Sequence, residues 1–378
     1  MAEDLSSAVL AFSLDLYKQL LTGARGSGQN VVVSPFSIAT ALSMTLAGAR
    51  GLTADEITAA LHTGKLNDVH SNFSDVLAKL SGLAPDVTLE VANRLYCEKT
   101  FSILDDYTTA LKKSYGSTVA SVNFKTEAEQ ARLAINGWVE EATKSKIRDL
   151  LPLGTVDYDT ALVLVNAVYF KGLWQEPFNP RRTSQKQFNL SKDKVKTVDM
   201  MRKEAMYRTC EKCDVDLKAS AIEIPYKGGK TSMLILLPDE VEGLADLEAA
   251  LTPSKLANIM KCLGTAKTVI LSLPRFKVEQ ATNLKETLPV IGVKELFSET
   301  ADLSGINEKK ELTVSAAVHK AFVEVNEEGT EAAAATAMLA SNSCERFTPK
   351  FNVDHPFMFL IRSHDPDVIL FLGSVRDI

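Results

Sequence analysis

The stretch VNEEGTEAAAATA at residues 325–337 constrains this chain most, because it suits two incompatible structures. Its alanines favour a helix, since alanine has the highest helix propensity. As a strand, it would carry only small side chains on one face, at Thr330, Ala332, Ala334 and Thr336. The charged Glu331 falls on the opposite face. We hypothesise that this segment slides between two strands of an existing sheet and that this insertion is the working step of the protein.

Composition indicates a globular protein. The 378 residues are 46% hydrophobic and 24% charged, which is enough for one large domain or two medium ones. A formal charge of −6 argues against a nucleic-acid or polyanion binder, because such binders need a concentrated positive field. The chain begins without a charged-then-apolar leader, and no run approaches the ~18 apolar residues of a membrane span. We therefore expect neither a precursor nor a membrane protein.

Motifs for catalysis and metal binding are missing from the sequence. It contains no G-x-S-x-G elbow, G-x-G-x-x-G fingerprint or H-E-x-x-H motif, and its five histidines are scattered. Five cysteines do not form a disulfide framework, and the pair Cys210 and Cys213 lacks the second pair of a zinc site, so we interpret both as surface thiols. We expect no catalytic residue, no metal and no cofactor.

The order of hydrophobic patterns predicts an α+β fold. Residues 5–20 have apolar side chains at helical spacing, and a serine cap with Pro35 predicts a helix at 38–47. The series at 53–56 has the form of a capping box. From residue 161 the pattern changes to that of strands, and the first strand is predicted at 161–170. A hairpin is predicted at 222–238. Three further strands are predicted at 268–273, 317–325 and 368–375. Without βαβ alternation or a linker, one domain with large, partly antiparallel sheets is expected.

Two polar residues interrupt apolar strand patterns. Asn166 lies in the middle of the run at 161–170, and His319 lies in the strand predicted at 317–325. A buried amide needs hydrogen-bond partners, so the pattern predicts a buried polar cluster near Asn166. We interpret His319 as a hydrogen-bonded core residue and not as a ligand or base.

Five motifs together resemble the serpin family. In order, they are VSPFSI at 33–38, NAVYFKGLW at 166–174, HKA at 319–321, EEGTEAAA at 327–334 and DHPFMF at 354–359. The resemblance covers essentially the whole chain. It implies a single α+β domain over residues 1–378, with about nine helices, three β-sheets of which one is a large central mixed sheet, and an exposed reactive-centre loop at 329–348.

The resemblance also implies roles for individual residues. The loop hinge would consist of Glu327, Glu328, Gly329, Thr330, Glu331, Ala332, Ala333, Ala334, Ala335 and Thr336. A cluster beneath the sheet, where strands must part, would consist of Ser34, Ser37, Asn166 and His319. Trp174 resembles the aromatic residue where the loop enters the sheet. None of these roles is catalytic.

The position of the reactive bond is left open between two counts. Sixteen residues from Glu327, the usual span of the family, lead to Ser343 followed by Cys344. Counting back from Phe351 on a shorter spacing gives Glu345 and Arg346, with Arg346-Phe347 as a further choice. A small residue suits an elastase-like pocket, whereas glutamate suits an acid-preferring protease and arginine a trypsin-like one.

The implied activity is suicide inhibition of serine proteases, and possible targets include cysteine proteases. Cleavage of the loop would release it into a metastable fold and trap the acyl-enzyme through a conformational change. A non-inhibitory binding or storage protein on the same scaffold is the alternative. The implied protein is a monomer with no cofactor and no nucleic-acid, membrane or heparin-like partner. Sequons at Asn72 and Asn189 favour a secreted glycoprotein, with a cytoplasmic location as the alternative.

Overall fold

The computed structural model describes residues 2–24, 28–212, 214–330 and 348–378. Within these residues the chain forms nine α-helices, so the α+β prediction is confirmed. The helices are α1 Ala2–Ala24, α2 Pro35–Gly48, α3 Gly51–Ala60, α4 Val69–Ser81, α5 Asp105–Tyr115, α6 Phe124–Ala142, α7 Leu244–Ala250, α8 Pro253–Cys262 and α9 Leu284–Thr287.

Fifteen strands form in the same described part of the chain. They are β1 Val31–Val33, β2 Val87–Glu98, β3 Val119–Val122, β4 Leu162–Leu173, β5 Ser184–Asn189, β6 Val195–Cys210, β7 Ala219–Pro225, β8 Thr231–Pro238, β9 Lys267–Pro274, β10 Phe276–Asn283, β11 Val314–Val325, β12 Gly329–Thr330, β13 Lys350–Asn352, β14 Phe357–His364 and β15 Asp367–Val375. The predicted hairpin is confirmed, because β7 and β8 pair antiparallel.

A mixed sheet of six strands forms the centre of the molecule. Its order is β10-β11-β4-β2-β3, and β12 pairs with β4 from the side. The two inner strands β4 and β11 are parallel to each other, whereas their outer neighbours β2 and β10 are antiparallel to them. Two neighbouring parallel strands have no direct link along the chain, so they can be separated without breaking a hairpin.

The remaining nine strands form one continuous hydrogen-bonded sheet, in the order β1-β15-β14-β8-β7-β6-β9-β13 with β5 on β6. The expected count of three sheets is therefore wrong for the described residues, which contain two. The cause is the length of β6, whose 16 residues pair with β5 and β9 at one end and with β7 at the other. This one strand joins what would otherwise be two sheets.

The central sheet separates two hydrophobic cores. Even-numbered residues of β4, such as Leu164, Val168 and Phe170, belong to the large core shared with α1, α2 and the second sheet. Odd-numbered residues, such as Val165 and Tyr169, belong to a smaller core under α6. Both faces of β4 are thus buried, as its continuous apolar run predicts.

Three local predictions are wrong. Helix α2 begins after Ser34, but the Ser34 side chain forms no cap and instead donates to Leu370 O at 2.6 Å. Helix α3 begins at Gly51, so Thr53 lies inside it and accepts a hydrogen bond from Asp302 N. Cys210, interpreted as a thiol, is disulfide-bonded.

Candidate functional site

A buried polar cluster lies where β4 and β11 meet over the start of α2. Asn166 and His319 are paired residues of the two strands, and their side chains hydrogen-bond through Asn166 Oδ1 and His319 Nδ1. The Asn166 amide donates to Ser37 Oγ at 2.6 Å and to the Ser37 carbonyl at 3.1 Å. Ser34 N donates to His319 Nε2 at 3.2 Å. The structure therefore brings all four predicted cluster residues together, and it adds Asn93, which contacts both Asn166 and Ser37.

His319 is held in its neutral form. Its Nε2 accepts a hydrogen bond from the backbone amide of Ser34, so the ring proton is on Nδ1, which donates a hydrogen bond to Asn166 Oδ1. Burial lowers the pKa of His319 to about 3, because no carboxylate compensates for the loss of water around the charged ring. The cluster therefore contains donors and acceptors but no net charge.

The segment that follows β11 turns back sharply into the sheet. Asn326 N donates to Gly329 O at 2.9 Å, and Gly329 N donates to Asn326 O at 3.3 Å, which closes a two-residue turn. The returning strand β12 pairs antiparallel with β4, with Gly329 opposite Leu173 and Thr330 opposite Gly172. Gly329 has a φ of +146°, and an added Cβ would lie 2.1 Å from Gly172 O. Only glycine fits at this position.

Glu327, in the turn, is anchored by two residues that lie next to strands of the second sheet, Arg275 after β9 and Thr183 before β5. It is 4% exposed, and its carboxylate accepts hydrogen bonds from Arg275 Nε at 2.8 and 2.9 Å and from Thr183 Oγ1 at 2.5 Å. Burial by itself raises the pKa of Glu327, but the hydrogen bonds from Arg275 and Thr183 outweigh burial and hold the pKa below its ordinary value. The turn is therefore fixed by a charge-assisted contact.

Two stacked aromatic rings cover the point where β12 enters the sheet. Trp174 and Tyr226 stack with centroids 4.6 Å apart and planes 8° apart. Trp174 Nε1 donates to Asn326 O at 2.9 Å, and its backbone amide donates to Glu328 O at 2.8 Å. The hydroxyl of Tyr226 lies 3.0 Å from Thr330 Oγ1, and Thr330 is fully buried. Thr330 thus occupies a polar position on the large-core side of the sheet.

Comparison with known proteins decides the family. The model of the serpin (serine protease inhibitor) family matches residues 7–378. The chain belongs to the serpin family. This serpin is 53% identical to Ipis-1 of Ixodes persulcatus over 380 residues, with all of both chains covered. It is 44% identical to leukocyte elastase inhibitor A of Mus musculus, with 99% of each chain covered.

A solved structure agrees with the fold. This serpin is similar to Serpin48, described as a highly specific serpin in the insect Tenebrio molitor, with a TM-score of 0.88 and 36% identity. The similarity covers all of this chain and 98% of that one. The fold implied by the five sequence motifs is thus confirmed.

Some predicted site residues lie outside the described residues. These are the distal hinge and the candidates for the reactive bond: Glu331, Ala332, Ala333, Ala334, Ala335, Thr336, Ser343, Cys344, Glu345, Arg346 and Phe347. The described chain resumes at Thr348 and enters β13, which pairs with β9. The hinge residues from Glu327 to Thr330 lie as described above.

The two sequon asparagines differ in environment. Asn72 is 7% exposed, and its amide donates to Asp68 O at 2.6 Å, so a glycan would have to displace that bond. Asn189 is half-buried, and its amide donates to Asp354 O at 3.2 Å. Asn189 is therefore the more exposed of the two asparagines.

Several important residues were missed in the sequence. Asn93, Thr183, Tyr226 and Arg275 complete the cluster and the hinge contacts, yet each lies far along the chain from its partner, as Arg275 does from Glu327 at a separation of 52 residues. A signal existed only for Asn93, since an amide in a strand needs a partner. Among the described residues, no group of three or more potential ligands could hold a metal ion, and no helix is long and apolar enough to cross a membrane.

Proposed function

We propose that this serpin is a suicide inhibitor of serine proteases, built as one domain over residues 1–378 with a reactive-centre loop at 329–348. The protease serine attacks the carbonyl of the reactive bond, the carboxy-terminal fragment leaves as an amine, and an acyl-enzyme remains. The freed loop then inserts into the central sheet. The observation that carries this proposal is the pairing of Gly329 and Thr330 with β4, antiparallel to it, at the end of the β4–β11 pair.

The register of β12 defines the inserted strand. Continued from Thr330 opposite Gly172, it brings Ala332 opposite Phe170 and residues 331–340 opposite residues 171–162 of β4. Directly opposed residues share one face of a sheet, so the even positions of the loop would face the large core with Thr330. Phe170 and its neighbours already fill that side. This geometry supports the need for small residues at 332, 334 and 336.

Insertion requires the polar cluster to open. The paired residues Asn166 and His319 belong to the two strands that the new strand would separate. In the proposed register Thr336 arrives opposite Asn166, and its hydroxyl could donate to and accept from the groups released there. Ser34 and Ser37 remain on α2 beneath the gap. We propose that the hydrogen bonds of the cluster hold β4 and β11 together before cleavage. After insertion, the polar groups of the cluster would form hydrogen bonds with the inserted strand.

The energy of insertion is large enough to distort a protease. A strand of about ten residues with two antiparallel neighbours makes roughly 20 ladder bonds and replaces roughly ten of the parallel pair, a net gain of about 5–15 kcal/mol at about 0.5–1.5 kcal/mol per bond. That range equals the stability of a typical domain, at about 5–15 kcal/mol. Trapping can therefore be driven by strand addition alone.

The names of relatives support an elastase-like target. Leukocyte elastase inhibitor A carries its target in its name, and Ser343 at the reactive bond suits a small pocket. Glu345 or Arg346 would indicate an acid-preferring or trypsin-like target, and a cysteine protease is a further target class. We further propose a monomer that needs no polyanion. A glycan on Asn189 would indicate secretion, and its absence from protein made by the native tissue would favour the cytoplasm.

A protease panel tests this function. The serpin is incubated with elastase-like, trypsin-like and acid-preferring serine proteases and with a papain-like cysteine protease, and the products are separated on denaturing gels. A covalent complex is expected with at least one serine protease, and sequencing of the released fragment identifies the reactive bond. Cleaved serpin together with fully active protease in every case would instead favour the non-inhibitory alternative.

A further inference from the structure

A basic cleft lies on the exposed side of four strands of the second sheet. The strands β13, β9, β6 and β5 are adjacent, and cross-strand rows such as Asn352, Ser272 and Arg202 share one face. This face and the turn before β5 enclose a cleft of about 900 Å³. Five exposed cations line it: Arg181, Arg182, Lys186, Arg202 and Lys350.

These cations have no charged partner in the part of the chain that the structure describes. None of the five side chains forms an ion pair with any described residue, whereas other exposed cations do, as Lys196 does with Asp377. Two carboxylates, Glu204 and Asp354, also line the cleft, so five positive and two negative groups leave it with a net charge of +3. The whole chain carries −6. A local positive field on an otherwise acidic protein attracts a negatively charged partner to this one surface.

The cleft lies between the two ends of the reactive loop. At one end, Thr183 follows the cleft residue Arg182 and hydrogen-bonds the hinge carboxylate of Glu327. At the other end, Lys350 is the third residue after the loop candidates at 343–347, and Pro349 O accepts from Ile270 N, which belongs to the cleft. Both ends of the loop are therefore attached beside this face.

We propose that this basic cleft is an electrostatic docking surface for the protease that attacks the loop, and that it selects proteases with an acidic flank beside the active site. This inference rests on the proposed function, since it needs a protease at the loop. Rim charges act mainly on the association rate and its dependence on salt. The cleft therefore sets how fast a target is met, whereas the residues of the reactive bond set which side chain is accepted.

The test compares anionic and cationic isoforms of trypsin, which share a specificity pocket and differ in surface charge. The readout is the second-order rate constant for consumption of the intact loop, which is defined whether the protease is trapped or released. The variant is Arg182→Glu with Arg202→Glu. The control is Lys112→Glu with Lys113→Glu, which makes the same change of charge at exposed residues of α5, a helix that packs on α2 and α4. All proteins are first checked for equal melting temperature.

At low ionic strength, the anionic isoform should react with the cleft variant about tenfold more slowly than with the wild type, and the two rates should converge at high salt. The cationic isoform should show no such loss, and the control variant should behave as the wild type. Equal rates for wild type and cleft variant, or an equal loss in the control, would overturn the proposal. So would a rate increase on adding heparin, because that would assign the cleft to a polysaccharide. If the loop is consumed at the expected rates but no covalent complex forms, the result would contradict the proposed trapping of the protease and leave the docking surface supported.

Discussion

Replacing Thr330 by arginine tests the insertion step most sharply. Thr330 is fully buried, donates to or accepts from Tyr226 at 3.0 Å, and lies opposite Gly172, whose surroundings are filled by the rings of Phe170 and Tyr226. An arginine there must bury its charge or pull β12 out of the sheet. Either route blocks the first pairing steps, since the loop enters the sheet from this end.

The magnitude follows from burial. Desolvating an unpaired charge costs several kcal/mol, and the lost hydroxyl contact adds about 1 kcal/mol. If about 4 kcal/mol of this total appears in the barrier to insertion, the insertion rate falls about 1,000-fold. The total gain from strand addition would still favour insertion in the end. Deacylation would nevertheless win the kinetic competition, so the variant should become a substrate.

The assay is the partition between covalent complex and cleaved serpin on denaturing gels, with the target identified by the protease panel. The matched control is Glu331→Arg, because in the proposed register residue 331 lies opposite Lys171, on the other face from Thr330. The control should still trap the protease. Because both variants introduce an arginine, a difference between them reports which face of the inserted strand must stay uncharged. Stoichiometric complexes from Thr330→Arg would refute the alternation argument, and Ala334→Arg offers a repeat of the test deeper in the strand.

Three further predictions concern the anchor residues. Glu327→Gln should lower the free energy of unfolding by about 1.5–3 kcal/mol at neutral pH. Because the folded-state pKa of Glu327 is depressed, the difference between wild type and variant should shrink as the pH falls through that pKa. A difference that stays constant with pH in denaturant titrations would contradict a charge-assisted contact at Glu327. His319→Gln should weaken the pH dependence of the free energy of unfolding. The folded-state pKa of His319 is about 3 and its unfolded value is about 6.5, so the wild-type free energy of unfolding should fall by up to about 1.4 kcal/mol per pH unit as the pH drops from 6.5 toward 3. An equal dependence on pH in the variant would show that other groups dominate. Gly329→Ala should lower the melting temperature because its Cβ would meet Gly172 O, whereas the control Gly137→Ala, in open space on α6, should leave it unchanged or raise it.

Local patterns predicted the elements that carry the mechanism. The continuous apolar run of β4 and the buried amide of Asn166 each have one physical reading, and the structure agrees with both. By contrast, β2 was missed because Glu90, Asn93 and Arg94 break its apolar pattern. The number of sheets was wrong because nothing in the pattern of β6 shows that one strand serves two sets of neighbours.

The contacts that fix the hinge could not be predicted, because they are long-range. Arg275, between β9 and β10, and Thr183, just before β5, reach Glu327 across 52 and 144 residues of chain, and Tyr226 meets Thr330 from a position 104 residues away. Only the fold brings these residues together. The motif resemblance named Glu327 and Thr330 as hinge residues, but it contained no information about the charge and hydroxyl contacts that hold them.

The melting temperature before and after a single cut in the loop tests the central claim most directly. The serpin is nicked within residues 338–347 by a protease used in trace amounts, the protease is inactivated, and intact and nicked proteins are heated side by side. If the loop inserts between β4 and β11, the nicked protein should melt far above the intact one, and nicked Thr330→Arg should gain much less. An unchanged melting temperature in the nicked wild type would contradict insertion and the proposed function with it.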